Sequence, residues 1–240
     1  MRNYKKLFYL NKIIKNIKNI FLNIFFPIEC ISCQKPDRLI CYNCLAKVHT
    51  RLNNSKLFSG LEMYAAYGFS IPIVRKLITR AKYYHSPILF EELTLHAITT
   101  LAPIFLLHKQ KKIILIPVPL HFIRMQKRGF NQSEIIANIL ADTFENTQVL
   151  NLVLRIKNTS QQAKLNKEER IKNIQNSFEM NKNIRNNTIK TISDNINNYK
   201  FMIIDDVIST GSTVMEIEKL LITTLSVNKK DIMAVSLCRG

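Results

Sequence analysis

The sequence predicts an α/β fold in which a parallel sheet is buried between helices. Three observations carry that expectation. Short apolar runs rich in Ile, Val and Leu recur at 112–116, 201–204 and 232–237, as in strands covered on both faces. Stretches with helical spacing of apolar residues alternate with them, at 72–82, 87–108 and 133–144. At 201–213 an apolar run meets two carboxylates, then a loop of small hydroxyl residues around one Gly, then a helical pattern.

A chain of 240 residues with 47% hydrophobic content accommodates one main domain and a small appendage. Five Gly and seven Pro exclude a low-complexity chain. The net charge of +18 permits attraction to nucleic acid, anionic lipid or polyphosphate ligands. Lys, Asn and Ile crowd the whole chain, however, which reads as compositional bias rather than an evolved nucleic-acid face. No RNA-recognition signature or helix-turn-helix pattern is visible.

Taken in order, residues 1–26 read as an amphipathic helix. Leu10, Ile13, Ile14, Ile17, Ile20, Phe21 and Ile24 share a face, with Lys12, Lys15 and Lys18 between. Lys and Asn interrupt every apolar run, which argues against a secretory signal or a bilayer span. Packing on the protein is the favoured reading; lying on an anionic membrane surface is the other. Residues 27–50 hold Cys30, Cys33, Cys41 and Cys44 as two Cys-x-x-Cys pairs, seven residues apart. That spacing predicts a closed structural zinc knuckle or ribbon in a reducing, cytoplasmic setting. Cys238, in an apolar run, reads as a small core residue.

Residues 51–60 read as a polar connector and 61–69 as a strand. Pro72 opens a helix to about residue 82, and Pro87 a longer one to about 108. The strand at 112–116 ends in Pro117, Val118, Pro119 and Leu120, and paired prolines stop a ladder and fix an outward loop. Ligands of open α/β sheets bind outside the carboxyl ends of strands, so this loop should face the same crevice as Asp205. Arg124, Lys127 and Arg128 follow, suited to pyrophosphate, before a helix at about 133–144. Residues 149–154 read as a strand, 155–173 as a charged loop with a short helix or a mobile cover, 180–199 as a loop or variable insertion, and 232–237 as the last strand.

The 201–213 string has a direct chemical reading. Backbone N–H groups of a strand–loop–helix turn point at an anion, and the helix N-terminus adds about half a positive charge. Asp205 and Asp206 accept hydrogen bonds from sugar hydroxyls. A phosphorylated sugar with a divalent ion fits both features. No Lys follows Gly211, so the loop is not a Walker loop. The plain alternative is an ordinary turn with a Ser/Thr cap.

The same string resembles the ribose-phosphate signature of type I phosphoribosyltransferases, Asp-Asp-Val-x-Thr-Thr-Gly-x-Thr, with Ser209 where Thr is usual. Further marks are the Cys cluster, Lys82 and Tyr83, the run 117–120, the run 128–132, then Arg155, Thr159, Gln162, Leu165, Arg170, Asn173 and Phe178. In this order they resemble the ComF family of competence proteins over nearly the whole chain. Two departures stand out: His85 replaces the usual Gly, and the usual Gly-Ala is absent near Ser226.

The resemblance implies a type I phosphoribosyltransferase-like, Rossmann-like domain at 60–240, behind the 1–26 helix and the 27–50 zinc motif. It implies that Asp205 and Asp206 bind the ribose hydroxyls of phosphoribosyl pyrophosphate, with Mg²⁺ nearby and as the catalytic pair. Val207, Ile208, Ser209, Thr210, Gly211, Ser212 and Thr213 would complete that site. Lys82, the 117–120 loop and Arg128 would approach the pyrophosphate, and Arg155, Gln162 and Arg170 would belong to a flexible hood. The implied activity is phosphoribosyl transfer to an unknown acceptor, linked to DNA uptake. The alternative is a non-catalytic module acting on single-stranded DNA or a competence helicase. A homodimer is the expected assembly.

Overall fold

A computed structural model describes residues 29–36, 38–83, 86–158 and 174–240. The 1–26 helix, His85, Thr159, Gln162, Leu165, Arg170 and Asn173 lie outside the described residues. The chain divides into two compact units, Met1–Val48 and His49–Gly240.

In the first unit, Glu29 and Pro36 bridge antiparallel strands of chain, and the turn between them closes through Gln34 N–H to Cys30 O at 2.8 Å. A short helix, α1 (Tyr42–Leu45), follows Cys41. Buried Ile40 and Val48 are part of its small apolar interior.

The second unit is a six-stranded sheet with helices on both faces. Its elements in chain order are β1 (Asn53–Lys56), β2 (Glu62–Gly68), α2 (Pro72–Tyr83), α3 (Ile88–Leu107), β3 (Lys112–Pro117), α4 (Phe122–Arg128) and α5 (Gln132–Thr143). Then come β4 (Thr147–Val149), β5 (Val153–Arg155), β6 (Phe178–Met180), α6 (Asn186–Asp194), β7 (Tyr199–Ile208), α7 (Ser212–Leu225) and β8 (Ile232–Arg239). The sheet order is β1-β2-β8-β7-β3-β4, and only β1 runs antiparallel to its neighbour. β5 and β6 form a separate antiparallel ladder. The α/β fold with a largely parallel sheet is thus as the sequence predicts.

The central strand β7 is apolar over Phe201, Met202, Ile203 and Ile204, all fully buried. Phe201 and Ile203 share a core with Val214, Ile217 and Leu221 of α7. α3 packs against β2 and α5. Among the described residues, α3 alone is long and apolar enough to cross a membrane, but its Leu89, Phe90, Leu93, Ala97 and Leu101 are buried inside this unit.

Four local expectations are corrected. Residues 53–56 are a strand, because their backbone pairs with 62–65 even though their side chains are polar. The expected strand at 149–154 is two strands: the chain leaves the main sheet after Leu150, whose N–H still donates to Leu115 O, and 153–155 pair with 178–180 instead. The expected loop at 180–199 contains α6, whose Ile192 is buried and whose Ile189 packs against the core. Finally, β7 runs through both carboxylates to Ile208 rather than ending before them.

Candidate functional site

The carboxyl ends of β2, β8, β7 and β3 lie side by side because these strands are parallel. Asp205 and Asp206 occupy the end of β7, and alternation along a strand sends them to different surroundings. Asp206 is 3% exposed and pairs with Lys82 of α2, Nζ to Oδ2 at 2.5 Å. Its Oδ1 lies 3.5 Å from Gln132 Nε2. Asp205 accepts from Ser133 Oγ at 3.0 Å and from the Asp206 N–H at 2.9 Å. Burial and the Asp206 charge push the Asp205 carboxyl up to about 7, against the pull of Lys82 and its own hydrogen bonds.

The loop after β3 reaches the same place. Pro117 pairs with Ile204, and Val118 N–H donates to Ile204 O at 2.9 Å. Asn131 caps α5 by accepting from Ser133 N–H and ties the helix to the loop by donating to Val118 O at 3.1 Å. Pro119 and Leu120 are half-buried on the way to α4. Gly129 ends α4 in the left-handed region at φ 81°. This turn leads to Gln132, whose Oε1 accepts from Arg128 Nη1 at 2.6 Å. Lys82, Gln132 and Arg128 therefore form a chain of contacts leading to Asp206.

Arg124, Arg128 and Arg155 crowd one another and the acidic pair. Burial and the Arg124 charge lower Arg155 to about 10, while Asp205 pulls the other way. Burial lowers Arg128, opposed by Asp206, Tyr83 and Asp205. Arg155 also lies over the Phe178 ring, 5.5 Å from its centre. The ladder of β5 and β6, with Arg155 opposite Phe178, closes the base of the segment between them. Arg155 thus stands beside the acids, whereas Gln162 and Arg170 lie outside the described residues.

Val207, Ile208, Ser209, Thr210, Gly211, Ser212 and Thr213 line a small open pocket with Asp205. Gly211 sits at φ 79°, and a Cβ there would come within 2.6 Å of the Leu57 side chain. Only Gly suits that position. Gly211 has no side chain to cap α7, and Thr210 Oγ1 lies 3.5 Å from Ser212 N and 3.2 Å from Ser212 Oγ. The first backbone N–H groups of a helix lack intrahelical partners, and here they adjoin this pocket.

Three contributors escaped sequence reasoning. Ser133 looked like a helix start, yet its hydroxyl holds Asp205. Leu57, in the supposed connector, packs against Gly211. Arg239 ends β8 and donates through Nη1 to the carbonyls of Ile208 and Ser209. The one signal that could have found Arg239 is its place at the carboxyl end of the largely apolar β8, where ligands of open sheets bind.

The acidic pair and Ser133 present hard oxygen donors of the kind Mg²⁺ takes. In the first unit, the sulfurs of Cys30, Cys33, Cys41 and Cys44 all lie within 4.8 Å of one another. A tetrahedron with Zn–S bonds of about 2.3 Å needs sulfurs about 3.8 Å apart. Cys33 and Cys41 are at 3.6 Å. Burial works against the Cys30 thiolate, but backbone N–H groups of Cys33, Cys41 and Ser32 outweigh it and bring the thiol down to about 6. The cluster fits a structural zinc.

No protein-family model matches the chain. Competence protein F of Haemophilus influenzae is 35% identical to it over 108 residues, which is 45% of this chain and 43% of that protein. The chain therefore spans less than half the length of this curated relative. That match makes this chain a distant relative of Competence protein F over the matched residues, and the four-Cys cluster stands beside it.

Proposed function

We propose that the chain binds phosphoribosyl pyrophosphate with Mg²⁺ and transfers the phosphoribosyl group to an acceptor. One observation carries this reading: an acidic pair, half-buried Asp205 and buried Asp206, lies near the carboxyl end of β7, shortly before a Gly211 loop that opens a helix, and Lys82, Arg128 and Arg155 surround the pair. In this reading the 209–213 loop holds the 5-phosphate with backbone N–H groups. Asp205 and Asp206 accept hydrogen bonds from the ribose hydroxyls. Arg124, Arg128 and Arg155 repel one another, and a polyanion among them relieves that repulsion.

The reaction breaks the bond between the ribose anomeric carbon and a pyrophosphate oxygen, and the electron pair leaves with pyrophosphate. An acceptor lone pair forms the new bond. Positive charge develops on the ribose, close to the Asp205 and Asp206 carboxylates, which stabilise it. Mg²⁺, when bound, supplies charge neutralisation on the leaving pyrophosphate. The protein contributes position and electrostatics rather than a covalent step.

A second reading is favoured by the name of the relative, Competence protein F. In it the chain is a non-catalytic module acting on single-stranded DNA or on a helicase partner during DNA uptake. Pyrophosphate release across a panel of nucleobase and amine acceptors separates the two. Release that is lost in Asp205→Ala supports transfer. DNA or partner binding that survives Asp205→Ala, with no release, supports the second reading.

A further inference from the structure

We propose that Arg239 is a positioning residue that fixes the phosphate-binding form of the 209–213 loop. The inference rests on the sugar-phosphate reading of the site and adds a residue to it. Ile208 pairs with Arg239 across the parallel β7–β8 ladder, so the two strands end together. Arg239 Nη1 donates to Ile208 O at 3.1 Å and also to Ser209 O. Gly240 N–H donates to Ile208 O as well, at 3.0 Å. A Cβ on Gly240 would lie 3.2 Å from the Ser209 Cβ, so this backbone packs closely under the loop.

Peptide planarity turns these contacts into an orientation. In a trans peptide the C=O of one residue and the N–H of the next point in opposite directions. With the Ile208 and Ser209 carbonyls held on Arg239, the N–H groups of Ser209 and Thr210 point away from it. The loop pocket is lined by these residues together with 211–214. Without the guanidinium, Gly240 N–H still holds the Ile208 carbonyl, but the Ser209–Thr210 peptide can flip and present a carbonyl oxygen, which repels phosphate. Arg239 itself is anchored by its own backbone, whose carbonyl accepts from Phe69 N–H at 2.7 Å.

The test compares two ligands on the zinc-loaded full-length chain. Ribose 5-phosphate probes the loop; pyrophosphate with Mg²⁺ probes the basic cluster. Arg239→Met keeps the aliphatic stem and removes the donors. It should weaken ribose 5-phosphate by roughly tenfold or more, the scale of one charge-assisted hydrogen bond. Pyrophosphate affinity should stay unchanged, and Arg239→Lys should recover part of the loss. Thermal unfolding of both variants reports on folding. Equal weakening of both ligands means Arg239 is merely structural and overturns the inference. So does unchanged ribose 5-phosphate affinity while the wild type binds. A wild type that binds neither ligand overturns the site reading itself, and this inference with it.

Discussion

Asp205 and Asp206 are neighbours in sequence with different duties in the fold. Asp206 is buried and ion-paired with Lys82, so removing the lysine strands a charge in a dry place. Lys82→Met should lower stability by about 3 kcal/mol. The double variant Lys82→Met/Asp206→Asn should recover much of that, as urea unfolding of the four proteins in the cycle would show. Asp205 carries a raised carboxyl, at about 7 instead of the ordinary value of 3.8. Folding therefore favours its protonated form. Its contribution is fully favourable near the ordinary carboxylate value and is lost as pH climbs from about 4 to about 7. Relative to Asp205→Asn, the wild type should lose melting temperature across that window. Ligands that need the carboxylate should bind more tightly as pH rises through 7, the opposite trend.

At the scale of elements, two left-handed residues frame α7. Gly211 precedes it at φ 79° against Leu57, and Ser226 follows it at φ 56°. Gly211→Ala should cost about 1–3 kcal/mol through backbone strain and displacement of Leu57, and should disrupt the phosphate loop. Ser226 occupies a helix C-cap where Gly is usual, with its N–H bonded to Ile222 O at 3.1 Å. Ser226→Gly should stabilise by about 0.5–1 kcal/mol, read as a rise in urea midpoint. The same elements show what was legible beforehand. β3, β7 and β8 announced themselves by apolar runs, and α7 by its spacing. β1 did not, because a polar edge strand is defined by the backbone it pairs with. α6 was hidden in an Asn- and Lys-rich stretch, where two isoleucines three apart, Ile189 and Ile192, were the only signal for a helix face. The break at 150–152 was illegible, because apolar residues run on from Val149 to Leu154 around Asn151 and only tertiary pairing separates the two strands. The acidic pair and Gly211 were readable because their chemistry is local. Ser133 and Arg239 were not, because each acts on the site from another element.

For the whole molecule, the two compact units carry two kinds of chemistry. Four cysteine sulfurs gather in the first, and the acidic pair, the basic cluster and the Gly211 loop in the second. Purified protein should contain about one zinc per chain by atomic absorption, and Cys33→Ser should lose it. The relation to Competence protein F covers under half of either chain, so chemistry at the β7 terminus must be measured on this protein. The central claim is that this terminus is a sugar-phosphate site. The direct test is calorimetric titration of zinc-loaded protein with phosphoribosyl pyrophosphate and Mg²⁺, beside Asp205→Ala/Asp206→Ala. Saturable binding with a micromolar Kd that disappears in the double variant is the predicted result. Absence of binding by well-folded wild type, or equal binding by the double variant, would contradict it.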